Sequence, residues 1–466
     1  MYTDIWNAQR FRDMFKDRVL WCEDLGGWFV YNEKVWQRDS ASVMKRFCVE
    51  WHSDLIRYLT EEFEGDEYQV SQLAKHVKSS GGHSKMVSML EIAKAFMSKQ
   101  PEDMDAQGHL FNCQNGTVDL KGQMWHPFDQ SGAEVKHKHE HDYLTMISGV
   151  NYDPKAKCPM WLNFLDEIFL GNADLIDFIQ RVVGYCLTTS TQEQCMFILY
   201  GEGRNGKSCF VKTIENMLGD YATTCPQTTL IRKNDGSIPN DVASLKGARF
   251  VVASEFNQNV TLDEALIKQM TGSDRITARF LRREFFQFTP TFKIFLMTNH
   301  KPNIRGTDFG IWRRVRLIPF EFKVSKEKED RGLMEKINSE LDGIFKWAVE
   351  GYKKYASTGL RTPDIVWKAT EDYQYEEDDI GQFIEDYYTL DREGSVPCGE
   401  LTRRFKDTNG YAKSSKVFSE YMRRKGFKQG RKYHNGRQAR SWLGIRALKP
   451  YEQAADDETT NPDVWE

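Results

Sequence analysis

Apolar and polar positions along the chain follow two different periods. Residues 195–320 contain four apolar runs of strand length, CMFILY, ARFVVAS, FKIFLMTN and VRLIPF, separated by stretches in which apolar residues recur at helical spacing. Buried strands that alternate with helices are typical of a doubly wound α/β domain with a parallel sheet. The pattern therefore predicts an α/β core in the middle of the chain.

The residues before this core have a mixed pattern. GWFVYNEKVWQ and LFNCQNGTVDL predict two strand–turn–strand units, whereas residues 40–100 are rich in helix formers with spaced apolar positions. From Cys158 to Leu187 the apolar residues again recur at helical spacing. We expect an α+β N-terminal domain of unknown role at 1–150 and a helical collar or oligomerisation segment at 151–190.

The residues after the core predict a winged helix. Two amphipathic stretches, VPCGELTRRF and SKVFSEYMRRKGF, precede FKQGRKYHNGRQARSWLGI, in which Asn435-Gly436 is a strong hairpin turn. The acidic run EDYQYEEDD before them resembles a solvated helix face or a linker. The expected bounds are 191–365 for the α/β core, 366–450 for the winged helix and 451–466 for an acidic tail.

Charge distinguishes the C-terminal region from the rest of the chain. The 466 residues have a net charge of −4, yet residues 401–449 contain fifteen basic and two acidic residues. In the second predicted helix Val417, Phe418, Tyr421 and Met422 should be buried. A basic face on a winged helix favours DNA binding, although a protein-docking domain with solubilising charge is the alternative. The candidate DNA-binding residues are Lys416, Arg423, Arg424, Arg431 and Lys432.

The cysteine and histidine patterns give little indication of disulfide bonds or of a metal site. The nine cysteines include no C-x-x-C pair, and the longest apolar runs are strand-sized. We therefore expect free thiols and a soluble, cytoplasmic protein with no membrane partner. HKHEHD places His137, His139 and His141 on one face of a possible strand. That spacing can bind a metal, but a polar exposed strand is the more common reason for it.

The octet GEGRNGKS follows the first apolar strand and precedes a helical stretch. It fits G-x-x-x-x-G-K-[ST] in full, a loop whose backbone N–H groups surround phosphates. The lysine reaches the β- and γ-phosphates, and the serine hydroxyl is a ligand for Mg²⁺. The motif predicts ATP and Mg²⁺ as cofactors. The candidate binding residues are Gly201, Gly203, Asn205, Gly206, Lys207 and Ser208, of which Ser208 is also the candidate metal ligand.

Two further strands end in polar residues that suit ATP hydrolysis. Glu255 ends the second strand, where a carboxylate can activate the attacking water, and Ser254 occupies the place where a second acid is usual. Asn299 ends the third strand, where an amide can sense the γ-phosphate. The alternative for Asn299 is a turn residue at the start of NHKPN.

Arg313 and Arg314 precede the fourth strand in GIWRRVRLIPF. Arginine is always charged and binds phosphate through two N–H groups, so one of them could act across a subunit boundary as an arginine finger. Surface charge or a structural ion pair is the alternative.

These motifs, together with KQMTGSDRITARFLRREFFQFTPTF, resemble the superfamily 3 helicases in order and spacing. The closest resemblance is to the phage, plasmid and poxvirus primase-helicase group, and it covers about residues 105–325. It implies that Glu255 is the catalytic acid and Asn299 the sensor, and that Arg314 matches the finger better than Arg313, which stays an alternative. It also implies that ITARFLRREFFQF is a DNA hairpin with Arg282 and Arg283 at its turn.

The sequence thus predicts a multidomain α/β protein. Its parts are an α+β N-terminal domain, an AAA+-like superfamily 3 core and a C-terminal winged helix. The expected function is an ATP-dependent, ring-forming replicative DNA helicase of a phage, plasmid or other mobile element, which moves on single-stranded DNA. A replication initiator that melts an origin is the alternative. Expected partners are single-stranded and forked DNA, further copies of the chain in a hexamer, and a separate primase.

Overall fold

The computed structural model describes residues 2–40, 42–131, 137–232, 240–254, 260–279, 285–304, 309–324 and 330–449. Its first part is a helical domain with a small antiparallel sheet, in which Phe11, Trp51 and Leu55 are fully buried. The elements are α1 Asp4–Phe15, β1 Val19–Cys22, β2 Gly27–Tyr31, β3 Trp36–Arg38, α2 Val43–Arg57, α3 Glu67–Ser80 and α4 His83–Met97.

A second small sheet and two helices follow. The elements are β4 Leu110–Cys113, β5 Gly116–Asp119, β6 Met124–Pro127, α5 Pro159–Ile168 and α6 Ala173–Cys186. The expected turn at Asn115-Gly116 joins β4 to β5. The ring of Phe111 in β4 stacks on Tyr221 at a centroid distance of 4.5 Å and on Phe345 at 5.0 Å. This sheet therefore packs into the same core as the α/β domain.

The central domain is the parallel α/β structure that the apolar runs predict. Its sheet has the order β13-β7-β12-β9-β8, and every neighbouring pair is parallel. Because helices cover both faces of such a sheet, four of its five strands are almost continuously apolar, and the edge strand with the sequence ATTC is the exception. The elements are β7 Met196–Tyr200, α7 Lys207–Leu218, β8 Ala222–Cys225, β9 Phe250–Ser254, α8 Glu264–Met270, β10 Ile276–Ala278, β11 Phe286–Phe288, β12 Lys293–Thr298, α9 Phe309–Trp312 and β13 Val315–Pro319.

The C-terminal part contains helices and one antiparallel sheet of order β14-β16-β15. Asn435 and Gly436 have φ values of 50° and 77° at the predicted turn between β15 and β16. Val417, which the sequence predicted to be buried, is 43% exposed. The elements are α10 Leu333–Asn338, α11 Leu341–Thr358, α12 Asp364–Glu377, α13 Asp379–Tyr387, β14 Tyr388–Pro397, α14 Cys398–Asn409, α15 Ser415–Arg424, β15 Lys428–His434 and β16 Arg437–Ala447.

The buried clusters divide the chain differently from the bounds expected from sequence. Residues from Phe111 onwards share the α/β core, whereas the residues before them form clusters of their own, so the region 1–150 is not one packing unit. Helix α12 packs on the α/β core through Val366 and Tyr373, and an independent C-terminal cluster begins only at Ile380. The acidic run is therefore not simply a solvated face or linker, because Tyr373 within it is fully buried.

No helix in the described ranges combines the length and the apolar character needed to cross a membrane.

Candidate functional site

The glycine-rich loop 201–206 lies at the carboxyl end of β7 and leads into α7. A Cβ atom on Gly201 would lie 2.3 Å from the Phe320 carbonyl oxygen, and one on Gly206 would lie 2.6 Å from Ile168 Cγ2. Gly206 also has a φ of +85°. Both positions therefore require glycine, whereas a Cβ on Gly203 would meet nothing within 4 Å.

Lys207 connects this loop to the end of a neighbouring strand. Its side chain is buried, with 4% of its surface exposed. The amine donates hydrogen bonds to the Gly201 carbonyl, to Asn205 Oδ1 at 3.2 Å and to Asn299 Oδ1 at 3.0 Å. The Asn205 amide in turn donates to the Phe320 carbonyl at 3.1 Å. The structure thus brings three residues of the glycine-rich motif together with Asn299, which the sequence analysis proposed from a separate strand.

The environment of Lys207 is unusual for a lysine. Burial lowers its pKa to about 8, because the ammonium group is removed from water. Its hydrogen-bond acceptors among the described residues are all neutral oxygens. A buried cation whose described partners are neutral suits an anionic ligand, since phosphate oxygens would supply a counter-charge.

Ser208 opens onto a cavity of about 520 Å³ at the same edge of the sheet. Its hydroxyl lies 3.7 Å from the sulfur of Met297, and Ser254 at the end of β9 lines the same cavity. Glu255, the expected catalytic acid, lies outside the described residues. The cavity lining includes several polar residues that the sequence motifs did not indicate, because they come from α7, β8 and the segment before α10. They are Glu215, Thr224, Asp330 and Arg331.

The loop after Asn299 is held by helix α12. Tyr373 donates its hydroxyl proton to the Pro302 carbonyl, and Glu377 accepts a hydrogen bond from the Ile304 backbone at 2.9 Å. Lys301 forms an ion pair with Glu376 at 2.7 Å. Sequence reasoning missed these contacts, since the acidic run has no motif and its partners are about seventy residues away.

The two arginines before β13 have different environments. Arg314 is buried, and its guanidinium donates to Thr271 Oγ1 at 3.1 Å and to the Gly310 carbonyl at 2.6 Å. Arg313 is exposed and donates to Gln194 Oε1 at 2.7 Å. Arg313 is therefore the outward member of the pair and Arg314 the buried one, and which of them is the arginine finger stays a prediction.

The candidate DNA-binding residues fall into two groups. Strands β10 and β11 pair in antiparallel fashion, with Ile276 opposite Phe288, as expected for the predicted hairpin. Its turn residues Arg282 and Arg283 lie outside the described part of the chain. In the C-terminal domain all five predicted basic side chains are exposed on α15 and β15, namely Lys416, Arg423, Arg424, Arg431 and Lys432.

Acidic residues join this basic domain to α12. Asp378 accepts a hydrogen bond from the Tyr421 hydroxyl at 2.9 Å, and Asp379 forms an ion pair with Lys413 at 2.5 Å. These two carboxylates directly follow the helix that holds the loop after Asn299. Residues 373–379 therefore contact both the loop after Asn299 and the C-terminal domain.

Two family models match the chain. A family described as D5 N terminal like matches residues 8–170, and a family of unknown function (DUF5906) matches residues 199–314. The first match includes the N-terminal helical domain and the small sheet β4-β5-β6. The second contains the glycine-rich loop, Lys207 and Asn299.

Curated viral proteins are similar to part of the chain. A protein of Acanthamoeba polyphaga mimivirus named "Putative helicase" is 30% identical over 307 residues, which are 61% of this chain and 31% of that protein. A protein of African swine fever virus (isolate Warthog/Namibia/Wart80/1980) named "Putative primase" is 25% identical over 243 residues, which are 50% of this chain and 24% of that protein. The chain therefore spans about a quarter to a third of the length of these relatives.

A solved apo structure of the NrS-1 C-terminal region is also similar, with 13% identity and a TM-score of 0.41, over 63% of this chain and 77% of that one. The D5 N terminal like match and the viral relatives support the resemblance of this chain to the phage- and poxvirus-type primase-helicase group.

Proposed function

We propose that this protein is an ATP-dependent replicative DNA helicase of superfamily 3, which forms a ring and moves on single-stranded DNA. One observation carries the proposal. The amine of Lys207, at the start of α7, is buried beside the glycine-rich loop and hydrogen-bonded to Asn299 at the end of β12. A lysine and a polar strand end in contact at the carboxyl edge of a parallel sheet form an arrangement suited to a nucleotide γ-phosphate.

ATP fits the loop in charge and in shape. The backbone at Gly201 and Gly206 approaches its neighbours too closely for a side chain, so the loop can close around phosphates. The first turn of α7 presents unpaired N–H groups to the same place. When ATP binds, we expect the Lys207 amine to donate to phosphate oxygens and no longer to the Gly201 carbonyl. The negative charge would raise the pKa of Lys207 toward its ordinary value.

Mg²⁺ would neutralise charge on the β- and γ-phosphates when bound. Ser208 is the hydroxyl placed to hold it, with phosphate oxygens and water as the remaining ligands, and Ser254 lines the same cavity. Glu255 follows Ser254 directly and would accept a proton from the attacking water. Asn299 would then orient that water through its amide while Lys207 stabilises the transferred phosphoryl group.

The outward position of Arg313 supports its role as the finger in a ring. A group that acts on a neighbouring subunit's nucleotide must extend from its own surface, and Arg313 is the exposed member of the pair. Its bond to Gln194 holds the guanidinium at the start of β13. In this proposal ATP lies between subunits, with Lys207 from one side and Arg313 from the other.

DNA would contact two surfaces. Arg282 and Arg283, which lie between β10 and β11 in the sequence, would contact the backbone of one strand in the ring channel. The C-terminal domain, which has the element order of a winged helix, presents α15 and the β15–β16 wing to duplex DNA. A separate primase remains a candidate partner of the region that precedes the core.

A replication initiator that melts an origin is the second candidate. The observation that favours it is the exposed basic face of the C-terminal domain, since base or duplex recognition needs such a face and unwinding alone does not. The two candidates differ in how far they open a duplex. An initiator opens a short origin segment, whereas a helicase unwinds long duplexes of any sequence.

A forked-DNA unwinding assay tests the proposal. The wild-type chain should displace a strand of a long forked duplex only with ATP and Mg²⁺, and Lys207→Ala should abolish both displacement and hydrolysis. Lys45→Ala, which changes an exposed lysine in α2, is the matched control and should behave as wild type. Hydrolysis without displacement on any forked substrate, combined with melting of a short AT-rich duplex, would favour the initiator.

A further inference from the structure

Three side chains converge where the chain returns from β6 towards α5. The segment His139–Asp142 is a single 3₁₀ turn, not the strand that alternating histidines suggested. His141 consequently points away to Asp17, at 3.2 Å, and Asp142 takes its place beside His137 and His139. The ligand atoms of these three residues all lie within 4.8 Å of one another.

The three groups are close and mostly buried. His137 Nε2 lies 2.7 Å from Asp142 Oδ2, and His139 Nδ1 lies 3.9 Å from the same oxygen. His139 is 7% exposed and Asp142 is 6% exposed. In a tetrahedral zinc site the ligand atoms lie about 2.0–2.1 Å from the metal and therefore about 3.3 Å from one another. This value lies between the 2.7 Å and 3.9 Å distances observed here. Small shifts would therefore bring the three atoms to metal-binding geometry.

The hydrogen bonds of His139 leave its Nδ1 atom, which lies 3.9 Å from Asp142 Oδ2, as a hydrogen-bond acceptor. Nε2 lies 3.2 Å from the Pro127 carbonyl, which can only accept, so Nε2 carries the proton and Nδ1 does not. The Thr117 hydroxyl is 3.1 Å from Nδ1 and 3.2 Å from Asn112 Oδ1, and its one proton can serve only one of them. An imidazole that donates one N–H to a carbonyl and offers the other nitrogen is in the usual state of a metal-binding histidine.

Other contacts hold the second histidine in place. The side-chain amide of Gln130 donates to the His137 carbonyl at 2.8 Å and accepts from its backbone N–H at 2.5 Å. The ring of His126 stacks on His137 with a centroid distance of 4.1 Å.

We propose that His137, His139 and Asp142 bind one divalent transition-metal ion of the zinc class, with water as the fourth ligand. Two imidazole nitrogens and one carboxylate oxygen are a ligand set that zinc accepts in tetrahedral geometry. The ion would fasten the turn to β5 and β6 through His139. It would also strengthen the link to the N-terminal domain, because Trp36 donates its indole N–H to the Glu140 carbonyl at 2.9 Å. The site is independent of the nucleotide chemistry proposed above.

The experiment uses the full chain without a histidine tag, stripped of metal by chelation. Calorimetric titration with Zn²⁺ at neutral pH should show one ion per chain, and binding should raise the thermal unfolding temperature. Titration with Co²⁺ should give the visible absorption band of a tetrahedral ion. His137→Gln and Asp142→Asn should each weaken Zn²⁺ binding at least about tenfold, because each removes one of three protein ligands.

His141→Gln is the matched control, since it changes an exposed histidine of the same turn that points away from the cluster. It should bind Zn²⁺ as the wild type does. Far-UV circular dichroism would check that each variant is folded, and His137 is partly exposed, so its variant should fold. If the wild-type chain binds no Zn²⁺, or if all three variants bind it equally well, the cluster is only a hydrogen-bonded network and the proposal is overturned.

Discussion

The Nζ atom of Lys207 lies 3.0 Å from the Oδ1 atom of Asn299, although 92 positions separate the two residues in the chain. The contact joins the loop after β7 to the end of β12, its neighbour in the sheet. Without nucleotide, the asparagine thus helps to hold the lysine in a buried position. The contact makes Asn299 the first residue on which to test the proposed chemistry.

We expect Asn299→Ala to reduce ATP hydrolysis by about 10²–10³, the usual effect of removing one positioned polar group from a transition state. Nucleotide affinity should change much less, because Lys207 and the loop backbone remain. Fluorescent-nucleotide binding and steady-state hydrolysis would be measured side by side. Asn303→Ala, in the same loop, is the control and should hydrolyse ATP normally. Normal hydrolysis by Asn299→Ala would contradict the sensor role.

Arg313 and Arg314 should respond in opposite ways to alanine substitution. Arg314→Ala should lower the free energy of unfolding by about 2–4 kcal/mol, since it removes buried hydrogen bonds to Thr271 and Gly310. Arg313→Ala should change stability by less than about 0.5 kcal/mol and yet lower hydrolysis about 10³-fold. Urea unfolding and ATPase assays would separate the two effects.

Mixing experiments can then place the finger between subunits. Rings assembled from Arg313→Ala and Lys207→Ala chains should regain part of the hydrolysis. At some interfaces the Arg313→Ala chain supplies an intact Lys207 and its Lys207→Ala neighbour supplies an intact Arg313. If Arg314→Ala is as stable as wild type but inactive, and Arg313→Ala is fully active, the finger is Arg314.

Lys293 should make stability depend on pH. Its amine is 2% exposed and donates to the Thr188 and Thr291 carbonyls, and burial lowers its pKa from 10.5 to about 7. Between these values the unfolded chain binds a proton that the folded chain does not, so stability should rise with pH in this window. Between about pH 7 and about pH 9 the gain from this group is at most about 2.7 kcal/mol.

Urea unfolding of the wild type and of Lys293→Met across this pH range measures the effect. The difference in unfolding free energy between the two proteins should shift in favour of the wild type as pH rises. A difference that stays constant would mean that the amine remains charged in the folded state.

The wing of the C-terminal domain should bind phosphate groups. Replacing both Arg431 and Lys432 by alanine should weaken duplex binding and reduce the slope of log K against log salt by about 1.8, or about 0.9 for each lost contact. Both side chains are exposed on β15, so the domain should stay folded. The matched control replaces Lys45 and Arg46, two exposed bases on α2. An unchanged salt slope in the wing variant would exclude the wing from the DNA interface.

Local sequence patterns predicted several features correctly, because these features depend on residues that are close together in the chain. The four apolar runs became β7, β9, β12 and β13, because strands buried on both faces must be apolar throughout. The Asn435-Gly436 turn also formed as expected, since both residues tolerate positive φ.

Other features depended on distant neighbours. The pattern of α15 suggested that Val417 is buried, but it is 43% exposed. The acidic run was expected to be solvated, yet Tyr373 and Glu377 contact a loop about seventy residues earlier in the chain. No periodicity within the run could indicate those partners.

The sequence by itself determined the strands, the glycine-rich loop and the identity of the polar residues at the strand ends. Those features follow from hydrophobic burial and backbone conformation, which act over a few residues. Only the tertiary structure decided that Lys207 meets Asn299, that Arg313 and not Arg314 faces outward, and that Asp142 replaces His141 beside two histidines. Each of those outcomes depends on sheet order or on packing against a distant segment, and such long-range contacts are not encoded in the spacing of neighbouring residues.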